Sequence, residues 1–135
     1  MFKNILLPVD LGHEASWSKA VEVAKGLGGK VHVLGVVPDF GEAMVAAYFP
    51  ADFSKKAAEG LKARLDAFAA EHVAGATTHV GHGHVAEAIL AVASAVGADL
   101  IVMASHPPDE LRSLFVGSQA ERVVRHSPIP VLVVR

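Results

Sequence analysis

The chain contains no cysteine among its 135 residues, which excludes disulfides, thiolate catalysis and cysteine-based zinc sites and fits a reducing compartment. It also lacks any apolar run near the roughly 20 residues of a membrane span, and its apolar N-terminal stretch is too short for a signal peptide. A formal net charge of -2 gives no basic field to attract a nucleic-acid backbone. We therefore expect a cytoplasmic protein that binds neither nucleic acid nor membranes.

Apolar residues, in contrast, are abundant. Hydrophobic residues make up 52% of the chain and charged residues only 19%, a balance that favours elements buried on both faces. The length fits one domain and is enough to bury a core without disulfides or a structural metal. We predict a single domain over residues 1–135.

Short apolar, β-rich runs predict five strands, at residues 2–9, 30–37, 77–80, 99–104 and 131–134. Several of these runs are continuously apolar instead of alternating with polar residues. Such runs are typical of strands that are buried on both faces, as in a parallel sheet.

Between the strands, apolar residues recur at helical spacing and predict three helices, and a fourth is predicted at residues 117–126. The three apolar stripes are Trp17, Ala20, Ala24 and Leu27; Leu61, Leu65, Phe68 and His72; and Val85, Ile89, Val92 and Val96. Glycine follows each of these helices, at residues 28–29, 75 and 97, where it permits the left-handed turn that ends a helix.

This alternation of strands and helices predicts an α/β fold, a doubly wound three-layer sandwich. Right-handed crossovers carry each helix back over a parallel sheet. One long irregular segment, residues 38–53, interrupts the alternation. Long loops are usually functional or mobile, so the segment is interpreted as a lid, an interface segment, a short extra helix or simple packing over the sheet edge.

Polar groups in three segments are expected to converge where the winding of such a sheet reverses, and open parallel sheets bind ligands there, outside the carboxyl ends of the strands. Asp10 follows the first strand, the stretch from Met103 begins at the end of the fourth, and Gly117 and Ser118 begin the fourth helix. A carboxylate at Asp10 could bind a ribose or a base amino group, or cap a helix. Backbone N–H groups at the helix start favour an anion, although Gly-Ser is also an ordinary helix opening.

The residues at these places resemble the universal stress protein A family. The resemblance is carried by Ile-Leu-Leu-Pro-Val-Asp at residues 5–10, Asp-Leu-Ile-Val-Met-Ala-Ser-His at 99–106, Leu-Phe-Val-Gly-Ser at 114–118 and the final segment 121–135. It spans nearly the whole chain and is most specific in its C-terminal part. It implies a five-stranded parallel sheet in the order 3-2-1-4-5, with the crevice between the first and fourth strands.

The resemblance is incomplete at the loop through which many family members bind ATP, written Gly-x-x-Gly, nine residues, then Gly-Ser or Gly-Thr. Ala104 and Pro107 stand at the first two glycine positions, whereas Gly117 and Ser118 match. Proline removes an N–H that could contact phosphate. The segment Ala-Ser-His-x-Pro-Asp nevertheless resembles the branch that contains universal stress proteins F and G, whose members bind ATP.

The resemblance implies a site for ATP, with Mg²⁺ accompanying the phosphates. The implied residues are Pro8, Val9 and Asp10 beside the adenosine, Val36 at the base edge, Met103 and Ala104 as an apolar wall, Ser105 and His106 near the sugar and phosphates, and Gly117, Ser118 and Gln119 as donors to the phosphates. Taken singly, Val36 and Met103 are more typical of core packing.

Three closely spaced histidines, His79, His82 and His84, could in principle bind Zn²⁺ or Ni²⁺. Neighbouring residues on a strand face opposite ways, however, and no carboxylate precedes Glu87 at ligand spacing. We interpret the three as exposed turn histidines, with His84 at the start of the third helix, and predict no metal site.

Dedicated catalysis is not predicted. Asp10, Ser105 and His106 supply the residue types of a catalytic triad, but adjacent serine and histidine side chains rarely face each other, and no Gly-x-Ser-x-Gly elbow is present. There is also no Walker loop with its lysine, and Arg112 is the only visible candidate to neutralise phosphate charge. We expect at most slow ATP hydrolysis.

The last strand is expected at the sheet edge, in residues 131–135 with Val131 and Arg135 at its two ends. A bare apolar edge strand promotes aggregation, so pairing with a second copy is expected unless a loop or the terminus covers it. The resemblance also implies a homodimer through this strand, and some family members assemble further.

Two functional classes follow from the sequence. In the first, the chain is an ATP-binding stress-response or regulatory protein. In the second, it is a dimeric interaction protein that has lost nucleotide binding through Ala104 and Pro107.

Overall fold

Five parallel strands and four helices alternate along the described part of the chain. The computed structural model describes residues 1–12, 14–37, 52–105 and 118–135. In chain order, the elements are β1 (Asn4–Pro8), α1 (Glu14–Gly26), β2 (Lys30–Val37), α2 (Phe53–His72), β3 (Thr77–His82), α3 (Val85–Val96), β4 (Leu100–Ala104), α4 (Ser118–His126) and β5 (Val131–Val134). The strands form one parallel sheet in the order β3-β2-β1-β4-β5. This arrangement confirms the predicted α/β fold and strand order.

The sheet separates two apolar layers, because neighbouring residues on its strands point to opposite faces. On one face, Ile5 and Leu7 of β1 pack with the buried residues of α1 and α2. On the other, Leu6 of β1 packs with the buried residues of α3 and α4. The continuously apolar runs of β1 and β4 therefore bury both of their faces.

β1 and β4 are shorter at their N-terminal ends than predicted, because a side chain takes part in the pairing there. The Asp99 carboxylate accepts hydrogen bonds from the backbone N–H groups of Lys3 at 2.8 Å and Asn4 at 3.1 Å. The N–H of Lys3, and then that of Asn4, hold the pKa of the Asp99 carboxyl below its ordinary value. β4 consequently begins at Leu100 and not at Asp99.

β3 is longer than predicted, because Gly81 and His82 continue the pairing with β2 opposite Val36 and Val37. Glycine is a weak strand former, which is why the sequence pattern ended earlier. Here it lets α3 approach closely, since a Cβ at Gly81 would lie 3.1 Å from the Cβ of Ala88.

The first helix ends one residue before the predicted apolar stripe does. Trp17, Ala20 and Ala24 are buried, but α1 ends at Gly26 and Leu27 is 37% exposed, so Leu27 was wrongly included in the helical stripe. At the end of α3, Gly97 adopts the predicted left-handed conformation with φ of 67°. No helix in the described ranges is long and apolar enough to cross a membrane.

α2 packs closely on the carboxyl-terminal half of β2 because Gly35 has no side chain. A Cβ at Gly35 would lie 3.0 Å from Cδ1 of Leu65 and 3.1 Å from Cδ2 of Leu61. From Leu61, α2 continues back to Phe53, about 12 Å at 1.5 Å per residue. The N-terminal part of α2 therefore rises beyond the carboxyl edge of the sheet. Of the predicted irregular segment, residues 38–51 lie outside the described residues.

His79 was wrongly interpreted as an exposed turn residue, since it lies within β3 and is half-buried. Its Nε2 is 3.0 Å from Nδ1 of His32, whose Nε2 lies 3.3 Å from Oδ1 of Asn4. Burial lowers the pKa of both histidines, with smaller contributions from His79 and Lys30 at His32 and from Lys62 at His79. The fold therefore favours the neutral form of both rings.

The other two histidines of the predicted turn are exposed, and His84 directly precedes α3 as predicted. Within the described segments, no three histidine or acidic side chains are grouped so that they could hold a metal ion.

Candidate functional site

The sheet opens between β1 and β4, where the direction of winding reverses. Their register pairs Ile5 with Leu100 and Leu6 with Ile101, and the pairing ends two residues before the end of β1. On its other side, β1 stays paired with β2 as far as Pro8 opposite Leu34. A crevice therefore lies at the carboxyl ends of β1 and β4, the position at which open parallel sheets bind ligands.

A cavity of about 500 Å³ occupies this crevice, within the usual range for small-molecule sites. Its described lining residues are Pro8, Val9, Asp10, Leu11, Gly12, Trp17, Leu34, Gly35, Val36, Leu61, Arg64, Val85, Ile89, Met103, Ala104, Ser118, Gln119 and Ala120. They come from β1 and the loop that follows it, from β2 and β4, and from all four helices of the described chain. The cavity therefore meets both helical layers.

Eight of the eleven predicted site residues line this cavity. They are Pro8, Val9, Asp10, Val36, Met103, Ala104, Ser118 and Gln119. Ser105 lies at the adjoining end of β4 but is not among the lining residues. Its N–H donates to the carbonyl of Val134 at 3.0 Å, and its buried Oγ has no hydrogen-bond partner among the described residues. His106 and Gly117 lie outside the described residues, as does Pro107.

Asp10 takes part in a tight turn and also lines the cavity. Its Oδ1 accepts a hydrogen bond from the backbone N–H of Gly12 at 3.0 Å, in the manner of an Asx-turn. The carboxylate is exposed at the carboxyl end of β1. The turn therefore orients an acceptor at the cavity rim, ahead of α1, which begins at Glu14. Binding of a ligand by this carboxylate stays a prediction.

The start of α4 brings hydrogen-bond donors to the α3–α4 side of the cavity. Ser118 is the first residue of the helix and is exposed. The first N–H groups of a helix have no partner within it and carry its positive dipole end. Gln119 fixes this end in place, because its Oε1 accepts a hydrogen bond from the N–H of Ala86 in the first turn of α3, at 3.2 Å.

The floor of the cavity is apolar and belongs to the core. Met103 is only 5% exposed and packs with Leu34 and Ile89 in the layer beneath α3 and α4. Val36 is half-buried above them. Core packing and a position on the cavity wall are thus compatible for Val36 and Met103.

Sequence reasoning missed the wall formed by α1 and α2. Trp17 and Arg64 line the cavity from these helices, and Arg64 is the one basic residue among the described lining residues, as Asp10 is the one acidic residue. The Nε1 of Trp17 is buried and has no hydrogen-bond partner in the part of the chain that the structure describes. The available signal was the position of Arg64 four residues before Phe68, on the apolar side of a predicted helix.

Known proteins are similar to this chain over its full length. The universal stress protein family matches residues 1–135. Universal stress protein G of Escherichia coli O157:H7 is 33% identical over 146 aligned residues, which cover all of both chains. The solved structure of hypothetical protein MJ0577 is 28% identical, with a TM-score of 0.77 over 99% of this chain and 96% of the other.

A universal stress protein solved in complex with cAMP is similar in fold alone, with a TM-score of 0.63 and 21% identity over 99% of this chain and 97% of that one. The sequence matches span the whole chain, and the fold has the predicted strand order with a crevice at its switch point. This chain belongs to the universal stress protein family.

Proposed function

We propose that this chain is a small stress-response or regulatory protein that binds ATP in the crevice between β1 and β4. One observation carries the proposal: a single cavity gathers an acceptor at Asp10, the donor end of α4 at Ser118 and an apolar wall at Met103 and Ala104. These are the groups that a sugar, a phosphate chain and a purine base require. The cytoplasmic location expected from the sequence stays a prediction.

The chemistry of the lining supports a place for each part of the proposed nucleotide. Val9, Val36 and Met103 offer apolar surface to the base, and the Asp10 carboxylate can accept hydrogen bonds from ribose hydroxyls. The start of α4 at Ser118 offers N–H donors to the phosphates. Asp10 is the one carboxylate among the described lining residues, so Mg²⁺ would be held chiefly by the phosphates and water.

The comparisons support an adenine nucleotide as the class of ligand. A universal stress protein of this fold has been solved with cAMP, so the fold is compatible with an adenine nucleotide. Ala104 ends β4 with only a methyl group at the cavity wall. A ligand can therefore still approach the strand end where the nucleotide-binding loop of the family has its first glycine.

We would test the proposal by denaturing the purified protein, identifying any released nucleotide by chromatography, and titrating ATP into nucleotide-free protein by calorimetry. The expected result is one ATP bound per chain. If there is no released nucleotide, no heat of binding and no change in melting temperature, the proposal is wrong. That outcome would support the second class, a dimeric interaction protein that has lost nucleotide binding through Ala104 and Pro107.

The exposed edge of the sheet supports a homodimer in either class. β5 is the last strand in the sheet order and pairs with β4 on one side. Its Leu132 is 40% exposed, and only Val134 of this strand is buried. We infer that a second copy pairs with this edge, because an apolar strand edge left in water promotes uncontrolled association.

Replacing Leu132 with lysine is expected to convert the dimer to a monomer, because a charged side chain on an edge strand opposes pairing with another strand. The measurement is molar mass in solution by light scattering after size exclusion, at several protein concentrations. Leu27→Lys provides the control, because Leu27 is exposed to a similar extent, 37%, and lies just after α1 and not in the edge strand. A Leu132→Lys variant that stays dimeric would exclude β5 as the interface.

A further inference from the structure

Arg64 reaches the cavity from α2, on the face of the sheet opposite to α4. It is exposed and lines the cavity together with Leu61 and Gly35. The predicted site contained no cation on this face. Whether the α1–α2 side of the cavity can bind an anion therefore depends on the position of this guanidinium and on its partners.

Aromatic contacts between α1 and α2 fix the direction in which Arg64 lies. The rings of Trp17 and Phe68 meet edge to face with centroids 4.8 Å apart, and the rings of Trp17 and His72 have centroids 4.7 Å apart. Residues four apart lie on the same side of a helix, so the side of α2 that carries Phe68 and His72 faces α1. Arg64 is one turn before Phe68 on this side, nearer to the carboxyl edge of the sheet.

Arg64 is available to a ligand, whereas its neighbour Lys62 is occupied. Lys62 Nζ lies 3.2 Å from Oδ1 of Asp66 and donates to the carbonyl of Thr78 at 3.0 Å. Arg64 makes no ion pair with any residue that the structure describes. Its guanidinium presents five N–H donors in a planar array that matches two phosphate oxygens.

We propose that Arg64 is a second anion-binding group of the site, which binds the phosphate chain of a nucleoside polyphosphate from the α1–α2 side. The start of α4 would bind the same chain from the α3–α4 side. This inference rests on the proposed function, which identifies the ligand as ATP. It adds that the site discriminates among nucleotides by their number of phosphates, with Arg64 as the residue responsible.

The test compares Arg64→Gln with the parent protein by calorimetric titration of adenosine, AMP, ADP and ATP. Arg64→Gln is expected to weaken ATP binding about tenfold, since a hydrogen bond to a charged group is typically worth that much, and to leave adenosine binding unchanged. Arg64→Lys is expected to lose less ATP affinity than Arg64→Gln, because lysine keeps the positive charge, although it lacks the planar array of donors. The ATP affinity of the parent should also fall more steeply with added salt than that of Arg64→Gln.

Lys55→Gln is the matched control, because it removes the same charge from the same helix. Lys55 is exposed and does not line the cavity, and it is nine residues from Arg64, which places it on the opposite side of α2. Its ATP affinity should equal that of the parent. Melting temperatures of all three variants would confirm that each is folded.

The possible outcomes separate the inference from the proposed function. If the parent binds ATP and Arg64→Gln binds it equally well, Arg64 does not contact the phosphates, and ATP binding itself stands. An equal loss for adenosine and ATP would place Arg64 against the nucleoside and would also overturn the inference. If the parent does not bind ATP, both are wrong.

Discussion

Replacing Ala104 with leucine is expected to weaken ATP binding about 100-fold or more, which corresponds to about 2.7 kcal/mol. Ala104 is the last residue of β4 and lines the cavity beside the crevice. A leucine there would fill space that the nucleotide needs. The residue is half-buried at the end of the strand and packs against the layer beneath α1 and α2, so the added carbons meet both the cavity and that layer. The melting temperature therefore has to be measured beside the affinity.

The measurement is calorimetric titration of ATP, with the melting temperature as a check on folding. Ala91→Leu makes the same change at an exposed position of α3 that does not line the cavity, and it should bind ATP as the parent does. Ala104→Gly, which introduces the glycine of the family loop, should retain binding. If Ala104→Leu binds ATP with parental affinity, the nucleotide does not lie against the end of β4.

Replacing Leu65 with alanine is expected to lower the free energy of unfolding by about 2–5 kcal/mol. Leu65 is fully buried in the layer between the sheet and α1 and α2. Its Cδ1 lies over Gly35, which has no side chain that could move into the space left by the leucine. The loss is large relative to the total stability of a domain, about 5–15 kcal/mol.

Urea unfolding of the parent and the variant measures this loss directly. Leu27→Ala is the matched control, because the same three carbons are removed from a leucine that is 37% exposed. Its stability should change by no more than about 0.5 kcal/mol. If Leu65→Ala lowers the free energy of unfolding by less than about 1 kcal/mol, α2 must move toward β2 and fill the space that the leucine leaves over Gly35.

The sequence predicted the elements of this fold well because its strands are continuously apolar. Leu6 and Leu7 point to opposite layers and both are fully buried, so no polar alternation obscured β1. The ends of the strands were less predictable where contacts with distant residues, and not the local hydrophobic pattern, determine them. Asp99 replaces part of the strand pairing with its side chain, and Gly81 extends β3 by pairing with Val36 of β2. Neither contact is visible in a local pattern.

For the candidate site, the sequence predicted the residues at or just beyond the carboxyl ends of strands, such as Met103 and Asp10, because the topology of a parallel sheet brings them together. It did not predict Trp17 and Arg64, whose place in the cavity depends on how α1 packs against α2. Such packing brings together residues that are far apart in sequence, and it depends on the shapes of their side chains. The fold class alone does not determine which side chains meet.

The register between β4 and β5 connects the cavity to the outer edge of the sheet. Met103 and Ala104 line the cavity, and they pair with Val133 and Val134 of β5. A ligand that favours one spacing of β1 and β4 over another shifts the population toward that spacing. Because the strand ladder is stiff, β5 would follow β4. In the proposed homodimer, filling the crevice would then alter the fit between the two copies at β5, and the strength of self-association would report whether the crevice is occupied.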